Sequence, residues 1–168
     1  MIDPSEIDAA VFDFDGVLTD NTVVVSSSGD EFVTCSRSDG LAFEALKKIE
    51  IKTLILSTEK NPVVRARAEK LNVEVRQGVV NKLIALHEYC EVENLSTERI
   101  LYVGNDVNDY DVMNACGITC CPLDAHPTIK MISSVVLSRR GGDSLVRELV
   151  EDVLQIDVYK TLYSNLRS

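Results

Sequence analysis

Short apolar runs alternate with segments of helical periodicity along most of this 168-residue chain. Continuous apolar runs of this length are typical of strands covered on both faces, whereas apolar residues three or four positions apart are typical of amphipathic helices. We predict strands at residues 7–14, 52–56, 100–103 and 134–137, a weaker strand between 71 and 80, and helices at 41–49, 63–71, 80–90, 110–115 and 145–154. This order predicts a three-layer, Rossmann-like α/β fold with a mostly parallel sheet.

One segment interrupts the alternation directly after the first strand. Residues 22–25 and 31–35 are short strand-like runs on either side of a Ser-Ser-Ser-Gly-Asp turn, which predicts a β-hairpin. No repeat, low-complexity tract or linker divides the chain. We therefore predict a single domain over residues 1–168, with a core at about 7–155 and a C-terminal tail at 156–168.

The charge balance limits the class of partner. Lys and Arg number 17 against 27 Asp and Glu, which gives a net charge of −10. Nucleic acid and anionic membranes require a basic surface, so neither is expected as a partner. The chain has no apolar run of 18 residues and no basic, apolar leader at its start, so we predict neither a membrane span nor a secretory signal, and a cytoplasmic location.

Cysteine usage fits a reducing compartment. The five cysteines form an odd set with no Cys-x-x-Cys pair, which favours free thiols over disulfides. A zinc site built from Cys116, Cys120, Cys121 and His126 is the less favoured alternative, because adjacent cysteines rarely both reach one tetrahedral ion.

Polar residues follow the predicted strands at their carboxyl ends, where open α/β sheets form their functional crevice. They are Asp13 and Asp15 after the first strand, Ser57 and Thr58 after the second, Lys82 at the start of a helix, and Asp106 and Asp109 on a glycine turn after the strand at 100–103. Crowded carboxylates repel one another unless a cation lies between them, and hard oxygen ligands suit Mg²⁺.

These residue types fit phosphoryl transfer, which needs an in-line nucleophile and positive charge around the phosphate. Asp13 is the candidate nucleophile, and Asp15 the acid and base that protonates the leaving oxygen and then deprotonates water. Ser57 and Lys82 are candidates for holding the phosphate oxygens. Asp106 is the candidate metal ligand, with Asp109 nearby.

The same residues carry a family resemblance. The DFDGVLTD, Ser57, Lys82 and GNDVND elements resemble the haloacid dehalogenase superfamily of phosphohydrolases, which carry DxDG, a Ser or Thr, a Lys, and GDDxxD or GNDxxD in this order. The resemblance spans residues 7–155 and implies an aspartyl-phosphate intermediate on Asp13. It implies that Mg²⁺ is bound by Asp13, Asp106 and the backbone carbonyl of Asp15. Asp109 matches the second acid of the last motif, and Asn105 stands where many relatives have Asp.

The spacing between motifs leaves no room for the cap domain that many members carry. A capless site stands open to water unless another subunit covers it. The chain is similar to the capless branch of 3-deoxy-octulosonate 8-phosphate phosphatases and their nine-carbon counterparts, which implies a homotetramer joined by the hairpin. Ser38-Asp39-Gly40 resembles the RDG signature of that branch. The segment from Gly141 to Glu148 resembles its GGxGAVRE tail, with Ser144 in place of a glycine.

The residues after Ser57 bear on the substrate. Octulosonate phosphatases commonly carry Thr-Gly-Arg there, whereas this chain has Ser57-Thr58-Glu59-Lys60, with Lys70 further on. Glu59 and Lys70 together resemble the nine-carbon 2-keto-3-deoxy sugar acid 9-phosphate phosphatases. We therefore expect Thr58, Glu59 and Lys70 to bind a phosphorylated sugar acid, with Lys70 meeting its carboxylate. An exposed ion pair on a helix is the alternative interpretation.

Three other functions compete with this hypothesis. The first is an octulosonate 8-phosphate phosphatase. A phosphoacceptor receiver domain is disfavoured because receivers place their phosphorylated Asp on the third strand. A silent tetramerisation module, as found with sugar-acid cytidylyltransferases, is disfavoured because Asp13, Asp15, Lys82 and Asp106 are all present.

Overall fold

The computed structural model describes residues 2–164. The strands are β1 (Ala9–Phe12), β2 (Val24–Val25), β3 (Glu31–Phe32), β4 (Lys52–Leu56), β5 (Glu74–Arg76), β6 (Ile100–Val103), β7 (Ile118–Cys121) and β8 (Val135–Val136). The helices are α1 (Ser38–Lys48), α2 (Val63–Leu71), α3 (Lys82–Glu93), α4 (Tyr110–Asn114), α5 (Pro127–Ile132), α6 (Leu145–Glu148) and α7 (Val158–Tyr163). Short 3₁₀ turns lie at Pro4–Glu6, Thr97–Arg99 and Val107–Asp109.

Six strands form one sheet in the order β5-β4-β1-β6-β7-β8. Every neighbouring pair is parallel, and β1 lies in the middle, with Phe12 opposite Ile55 on one side and Val103 on the other. A central parallel strand needs cover on both faces, which is why all four residues of β1 are buried. The carboxyl ends of β1, β4 and β6 therefore meet at one edge.

Alternate side chains of β1 enter two separate cores, one on each face of the sheet. Ala10 and Phe12 pack with apolar residues of α1, α2, α6 and α7, and the ring of Phe12 meets Phe43 edge to face at 5.0 Å. Ala9 and Val11 pack with apolar residues of α3, α4 and α5. Two helical layers enclosing a parallel sheet confirm the predicted three-layer α/β fold.

The structure also contains elements that the sequence pattern does not predict. The pattern predicted neither β7 nor α5, because the ITCC run is short and α5 has only six residues. The predicted helix at 145–154 is α6 continued by a π-helical turn, Leu149–Val153, whose wider backbone hydrogen bonding still keeps Leu149 and Val150 in the core. The first strand ends at Phe12, so Asp13 is the first residue beyond it.

The hairpin follows β1 as predicted. Strands β2 and β3 pair antiparallel, with Val24 opposite Phe32, and project from the sheet with their side chains exposed. Within residues 2–164, no further domain is inserted between β1 and β6, so the expected lack of a cap is confirmed.

The segment from Gly141 to Glu148 packs on the loop that follows β1. The amide of Gly142 donates to the carbonyl of Val17 at 3.0 Å. Ser144 adopts a left-handed conformation with φ 58°, which a glycine adopts without strain, and its hydroxyl lies 2.8 Å from that of Ser36. This hydrogen bond explains how a serine is held at the position where the resemblance calls for glycine. In the C-terminal tail predicted at 156–168, residues 158–163 form α7, and 165–168 lie outside the described residues.

Cys120 and Cys121 illustrate the alternation of a strand. Both are buried, but Cys120 faces the core that contains α1 and Cys121 faces the core that contains α3. Adjacent strand residues point to opposite faces, so these two thiols cannot share one ion. Burial raises the pKa of Cys120 to about 12, and all five cysteines are free.

No helix between residues 2 and 164 combines the length and the hydropathy that crossing a membrane requires.

Candidate active site

The first wall of the site is the loop that leaves β1. The amide of Asp13 continues the sheet by donating to the carbonyl of Val103, and Asp13 Oδ1 accepts from the amide of Phe14 at 2.7 Å. The chain then turns at Gly16, whose φ is +80°. A Cβ on Gly16 would lie 2.0 Å from the side chain of Asn105, so only glycine lets the two loops approach. This contact brings the loop of Asp13 and Asp15 against the loop after β6.

The second wall is the turn after β6. Asp109 Oδ2 accepts from the amide of Asn105 at 2.9 Å and from that of Asp106 at 3.4 Å, which closes the turn around its own carboxylate. A Cβ on Gly104 would lie 2.7 Å from Asp109, so this close packing also requires glycine. Asp106 Oδ1 accepts from the amide of Val107, and Asp106 is half-buried at the edge of the site.

Lys82 joins the two walls. It opens α3, whose first turn is capped by Asn81 Oδ1 accepting from the amide of Ile84. The Nζ atom of Lys82 lies 2.8 Å from Asp13 Oδ1 and 2.7 Å from Asp109 Oδ1, and Lys82 is buried. A buried ammonium between two carboxylates is held in one position, because any movement would leave an unpaired charge.

The surroundings of this cluster raise the pKa values of both Lys82 and Asp13. Burial lowers the pKa of Lys82, but Asp13 and Asp109 outweigh that effect, so its pKa is raised overall. Burial and the nearby Asp109 raise the pKa of Asp13 to about 7, although Lys82 and the Phe14 amide oppose the shift. Burial, followed by the charge of Glu59, raises the pKa of Asp15.

The third wall follows β4. Ser57 is buried, and its hydroxyl accepts from the amide of Glu59 at 3.1 Å, which fixes the turn into α2. Glu59 Oε1 accepts from the amides of Lys60 and Asn61 at 2.6 and 2.7 Å, so its carboxylate stabilises this loop from within. Thr58 is exposed beside them.

These walls enclose a cleft of about 220 Å³. Its lining residues are Asp13, Asp15, Asn21, Ser57, Thr58, Asn105, Asp106, Val107 and Asn108. Of the residues predicted from the sequence, five therefore line one cleft, with Lys82 directly behind Asp13. Glu59 lies close enough to raise the pKa of Asp15 but does not line the cleft. Asp109 does not line the cleft either. It binds Lys82 and closes the turn after β6.

Lys70 is the predicted residue that the structure places elsewhere. It is exposed near the end of α2 and lines a separate surface hollow with Arg37 and Arg67. No ion pair between Lys70 and Glu59 forms in the part of the chain that the structure describes. A larger hollow of about 720 Å³ surrounds the paired Asp8 and Arg99, and none of the predicted site residues lines it.

The sequence predicted no role for two residues that contact Asp13 or Asp109 directly. The side-chain amide of Asn105 lies 3.2 Å from Asp13 Oδ2 and 2.9 Å from the carbonyl of Asp15, and it donates to both when its nitrogen is turned inward. Tyr102 is fully buried in β6, and its hydroxyl donates to Asp109 Oδ1 at 2.9 Å. The sequence signal for Asn105 was its place as the first polar residue of GNDxxD, whereas Tyr102 looked like any core residue of a strand.

Residues 42–149 match the family of haloacid dehalogenase-like hydrolases. The chain is 31% identical over 145 residues to the 3-deoxy-D-manno-octulosonate 8-phosphate phosphatase KdsC of Salmonella typhi, covering 86% of this chain and 77% of that protein. A solved structure assigned to the HAD family of hydrolases, from Streptomyces avermitilis, is 43% identical with a TM-score of 0.88, covering 90% of this chain and 87% of that one. The cobalt-bound deoxy-D-mannose-octulosonate 8-phosphate phosphatase of Haemophilus influenzae is 28% identical with a TM-score of 0.85, covering 90% of each chain.

Proposed function

This chain belongs to the haloacid dehalogenase-like hydrolase family, as a phosphatase related to the 3-deoxy-D-manno-octulosonate 8-phosphate phosphatases, and we propose that it removes phosphate from a nine-carbon ulosonate 9-phosphate. The observation that carries the proposal is the convergence of Asp13, Asp15, Ser57 and Asp106 on one cleft, with Lys82 behind Asp13. A phosphorylated 2-keto-3-deoxy sugar acid is the substrate class that the relatives' names support.

In this proposal Asp13 is the nucleophile. Its carboxylate oxygen forms a bond to phosphorus while the bond from phosphorus to the sugar oxygen breaks, which leaves an aspartyl phosphate and the free alcohol. Lys82 and the Phe14 amide hold the carboxylate of Asp13 in place, which supports an in-line approach. Water then cleaves the acyl phosphate, releasing inorganic phosphate and restoring the carboxylate.

Asp15 is the proposed acid and base. It gives its proton to the departing sugar oxygen and takes a proton from the attacking water in the second step. Burial and the charge of Glu59 raise the pKa of Asp15, which favours its protonated form more than in a free aspartate. Asp15 lies one residue beyond Phe14, on the same loop as the nucleophile, so both carboxyl groups reach one substrate.

The donor set at the cleft fits Mg²⁺. The Asp13 carboxylate, the Asp15 carbonyl and the Asn105 amide face one another, and an amide can turn its oxygen in place of its nitrogen toward a cation. With Asp106 in the same cleft, these groups would supply the hard oxygen ligands that Mg²⁺ prefers. When bound, the ion neutralises charge on the phosphate and so lets an anion enter an acidic cleft.

Ser57 and Lys82 are the proposed phosphate ligands. The buried Ser57 hydroxyl already accepts from the Glu59 amide, so its O–H remains available to donate. Lys82 supplies a fixed positive charge beside the nucleophile. A cleft of about 220 Å³ is smaller than the roughly 300 to 1,000 Å³ of pockets that enclose a whole small molecule, so it suits the phosphate end of a longer substrate.

The loop after β4 supports the choice of a nine-carbon acid. Glu59 and Lys70 resemble the nine-carbon sugar acid 9-phosphate phosphatases, whereas octulosonate phosphatases commonly carry an arginine in this loop. An octulosonate 8-phosphate is the second candidate substrate, and the names of the relatives favour it. Thr58, which lines the cleft, is the proposed substrate contact on this loop.

The open cleft supports a homotetramer in which another protomer covers the site. Lys70 lies outside its own cleft, so a contact between Lys70 and substrate requires the cleft of a neighbouring protomer. The exposed β2-β3 hairpin is the proposed subunit contact. A silent tetramerisation module would not need the bonded cluster of Asp13, Lys82 and Asp109, which supports a catalytic role instead.

The test is a turnover screen that measures phosphate release from nine- and eight-carbon ulosonate phosphates, beside ordinary hexose phosphates and phenyl phosphate. We expect the nine-carbon 9-phosphate to give the highest kcat/KM, and we expect EDTA to abolish turnover and added Mg²⁺ to restore it. A higher kcat/KM for the eight-carbon 8-phosphate would transfer the assignment to the second candidate. Turnover that survives EDTA would contradict the proposed role of the metal.

A further inference from the structure

The mouth of the cleft carries two asparagines, Asn21 and Asn108, that have no part in the proposed phosphoryl transfer. Since the cleft suits only the phosphate end of a sugar-acid phosphate, the hydroxylated part of the substrate must lie across the mouth. Side chains at the mouth are therefore positioned to distinguish one phosphate ester from another.

Asn21 lies at the base of the hairpin in a left-handed conformation with φ 62°. Its backbone is held by the Thr19 hydroxyl, which accepts from the amide of Asn21 at 3.3 Å and from that of Gly16 at 3.2 Å. The side chain is exposed, lines the cleft and makes no hydrogen bond to any other residue between 2 and 164. A fixed backbone thus carries an amide whose donors and acceptor are all available.

Asn108 lies on the second wall, in the turn Val107–Asp109. Asp109 fixes this turn by accepting from the amides of Asn105 and Asp106 and binding Lys82. The Asn108 side chain is exposed and likewise has no hydrogen bond to another described residue. The backbone of Asn108 is therefore held by the turn, while its side-chain amide is not used by the fold.

The charge of the cleft decides what these amides can recognise. The charged residues that line it are Asp13, Asp15 and Asp106, all acidic, and no Lys, Arg or His lines it among residues 2–164. A carboxylate at the mouth would find no cation of this chain, whereas a neutral hydroxyl can both donate to and accept from an amide. Thr58 adds a hydroxyl to the same rim.

We propose that the side-chain amides of Asn21 and Asn108 bind hydroxyl groups of the sugar portion of the substrate and so determine selectivity for polyhydroxylated phosphate esters. This inference rests on the proposed function for the position of the phosphate. The two are tested by different measurements. The proposed function is tested by phosphate release, and this inference by the preference between substrates.

The test compares kcat/KM for the ulosonate 9-phosphate with kcat/KM for phenyl phosphate, which has no hydroxyl groups. The ratio of the two should fall about 3- to 10-fold in Asn21→Gly and in Asn108→Ala, since one neutral hydrogen bond contributes that much. The loss should lie mainly in KM if the bonds form equally in the ground and transition states. Asn21→Gly keeps the left-handed backbone, because glycine adopts positive φ without strain.

Asn94→Gly is the matched control. Asn94 is also exposed and left-handed, with φ 55°, but it ends α3, at the opposite end of the helix from Lys82. Its substitution should leave the ratio at the wild-type value. A ratio that is unchanged in both cleft variants, or that falls equally in Asn94→Gly, would overturn the inference.

Failure of the proposed function would be visible separately. If the wild-type protein releases no phosphate from any ulosonate phosphate, the comparison is made with the best hexose phosphate of the screen, and the same fall in ratio is expected. A wild-type protein that hydrolyses phenyl phosphate but no polyhydroxylated phosphate would overturn the inference while leaving the phosphatase chemistry intact.

Discussion

The Nζ atom of Lys82 lies 2.7 Å from Asp109 Oδ1, and the two side chains are only 1% and 0% exposed. Asp109 does not line the cleft, so it influences chemistry only by fixing Lys82 beside Asp13 and by closing the turn after β6. Removing one partner of such a pair leaves a buried charge without compensation. The pair therefore connects the stability of the fold to the position of the proposed nucleophile.

Asp109→Asn should lower the free energy of unfolding by about 3 kcal/mol, because Lys82 loses one of its two carboxylates. We also expect kcat to fall by about 10²-fold, because the charge beside Asp13 is no longer fixed. Urea denaturation and steady-state phosphate release measure the two effects. Asp111→Asn, an exposed acid two residues away, is the control, and equal effects of the two substitutions would contradict this account.

Tyr102→Phe should lower the free energy of unfolding and kcat, but by less than Asp109→Asn does. The substitution removes the hydroxyl that donates to Asp109 Oδ1 at 2.9 Å, and a hydrogen bond to a charged group contributes roughly 1.5 to 3 kcal/mol. We expect a loss of unfolding free energy in this range and a fall in kcat with little change in KM, since Tyr102 does not line the cleft. Tyr110→Phe, on the surface, is the control. A change in KM alone would argue against the positioning role.

Asp39 should make stability depend on pH. It is buried in α1 and accepts from the amide of Arg147 at 3.1 Å, and burial raises its pKa from 3.8 to about 6. The folded state therefore binds more protons than the unfolded state between about pH 4 and pH 6, so the contribution of Asp39 to stability is lost as the pH rises through that window. The raised pKa of Asp39 corresponds to a loss of roughly 3 kcal/mol in the free energy of unfolding over the whole window.

The measurement for Asp39 is the difference in unfolding free energy between the wild type and Asp39→Asn at several pH values. Asn keeps an acceptor for the Arg147 amide but cannot ionise, so the wild type should lose stability relative to the variant on going from about pH 4 to pH 7. Glu44→Gln, an exposed position on the same helix, should give a difference that does not change with pH in this way. A difference of constant size for Asp39→Asn would refute the prediction.

The hairpin should hold subunits together. Val24 and Phe32 are paired across it and are 69% and 58% exposed, which is unusual for large apolar side chains on adjacent strands. We expect a tetramer by light scattering and a smaller species for the double variant Val24→Ser, Phe32→Ser. Val92→Ser, at a valine that is 74% exposed on α3, should remain tetrameric. A wild-type monomer with full activity would contradict the shared cover over the cleft.

The sequence predicted most of the architecture because the central strands carry an unambiguous apolar pattern. β4, β6 and α2 have the predicted bounds, and the polar residues after the strands do meet at one edge. The short β7 and α5 were missed because neither is long enough to show a period. Their place in the fold depends on contacts with β6 and α4, which are distant in sequence.

The site was predictable where a residue follows a strand end and not where its role depends on a partner. Asp13, Ser57 and Asp106 were identified by position, and they line the cleft. The contact of Asn105 with Asp13 and the bond of Tyr102 to Asp109 arise only when the loops pack together. The family resemblance also implied that Lys70 and Glu59 bind one substrate, but α2 carries Lys70 to a different part of the surface.

The most direct test of the account is to locate the phosphoryl group on the protein during turnover. Asp15→Asn removes the base that activates water, and phenolate leaves phosphorus more readily than a sugar alkoxide when no general acid is present. Acid quenching of Asp15→Asn with phenyl phosphate and Mg²⁺, followed by peptide mass spectrometry, should therefore find the phosphoryl group on Asp13. Asp13→Asn should carry none and should release no phosphate. A phosphoryl group on another residue, or phosphate release by Asp13→Asn at the wild-type rate, would contradict the assignment of Asp13 as the nucleophile.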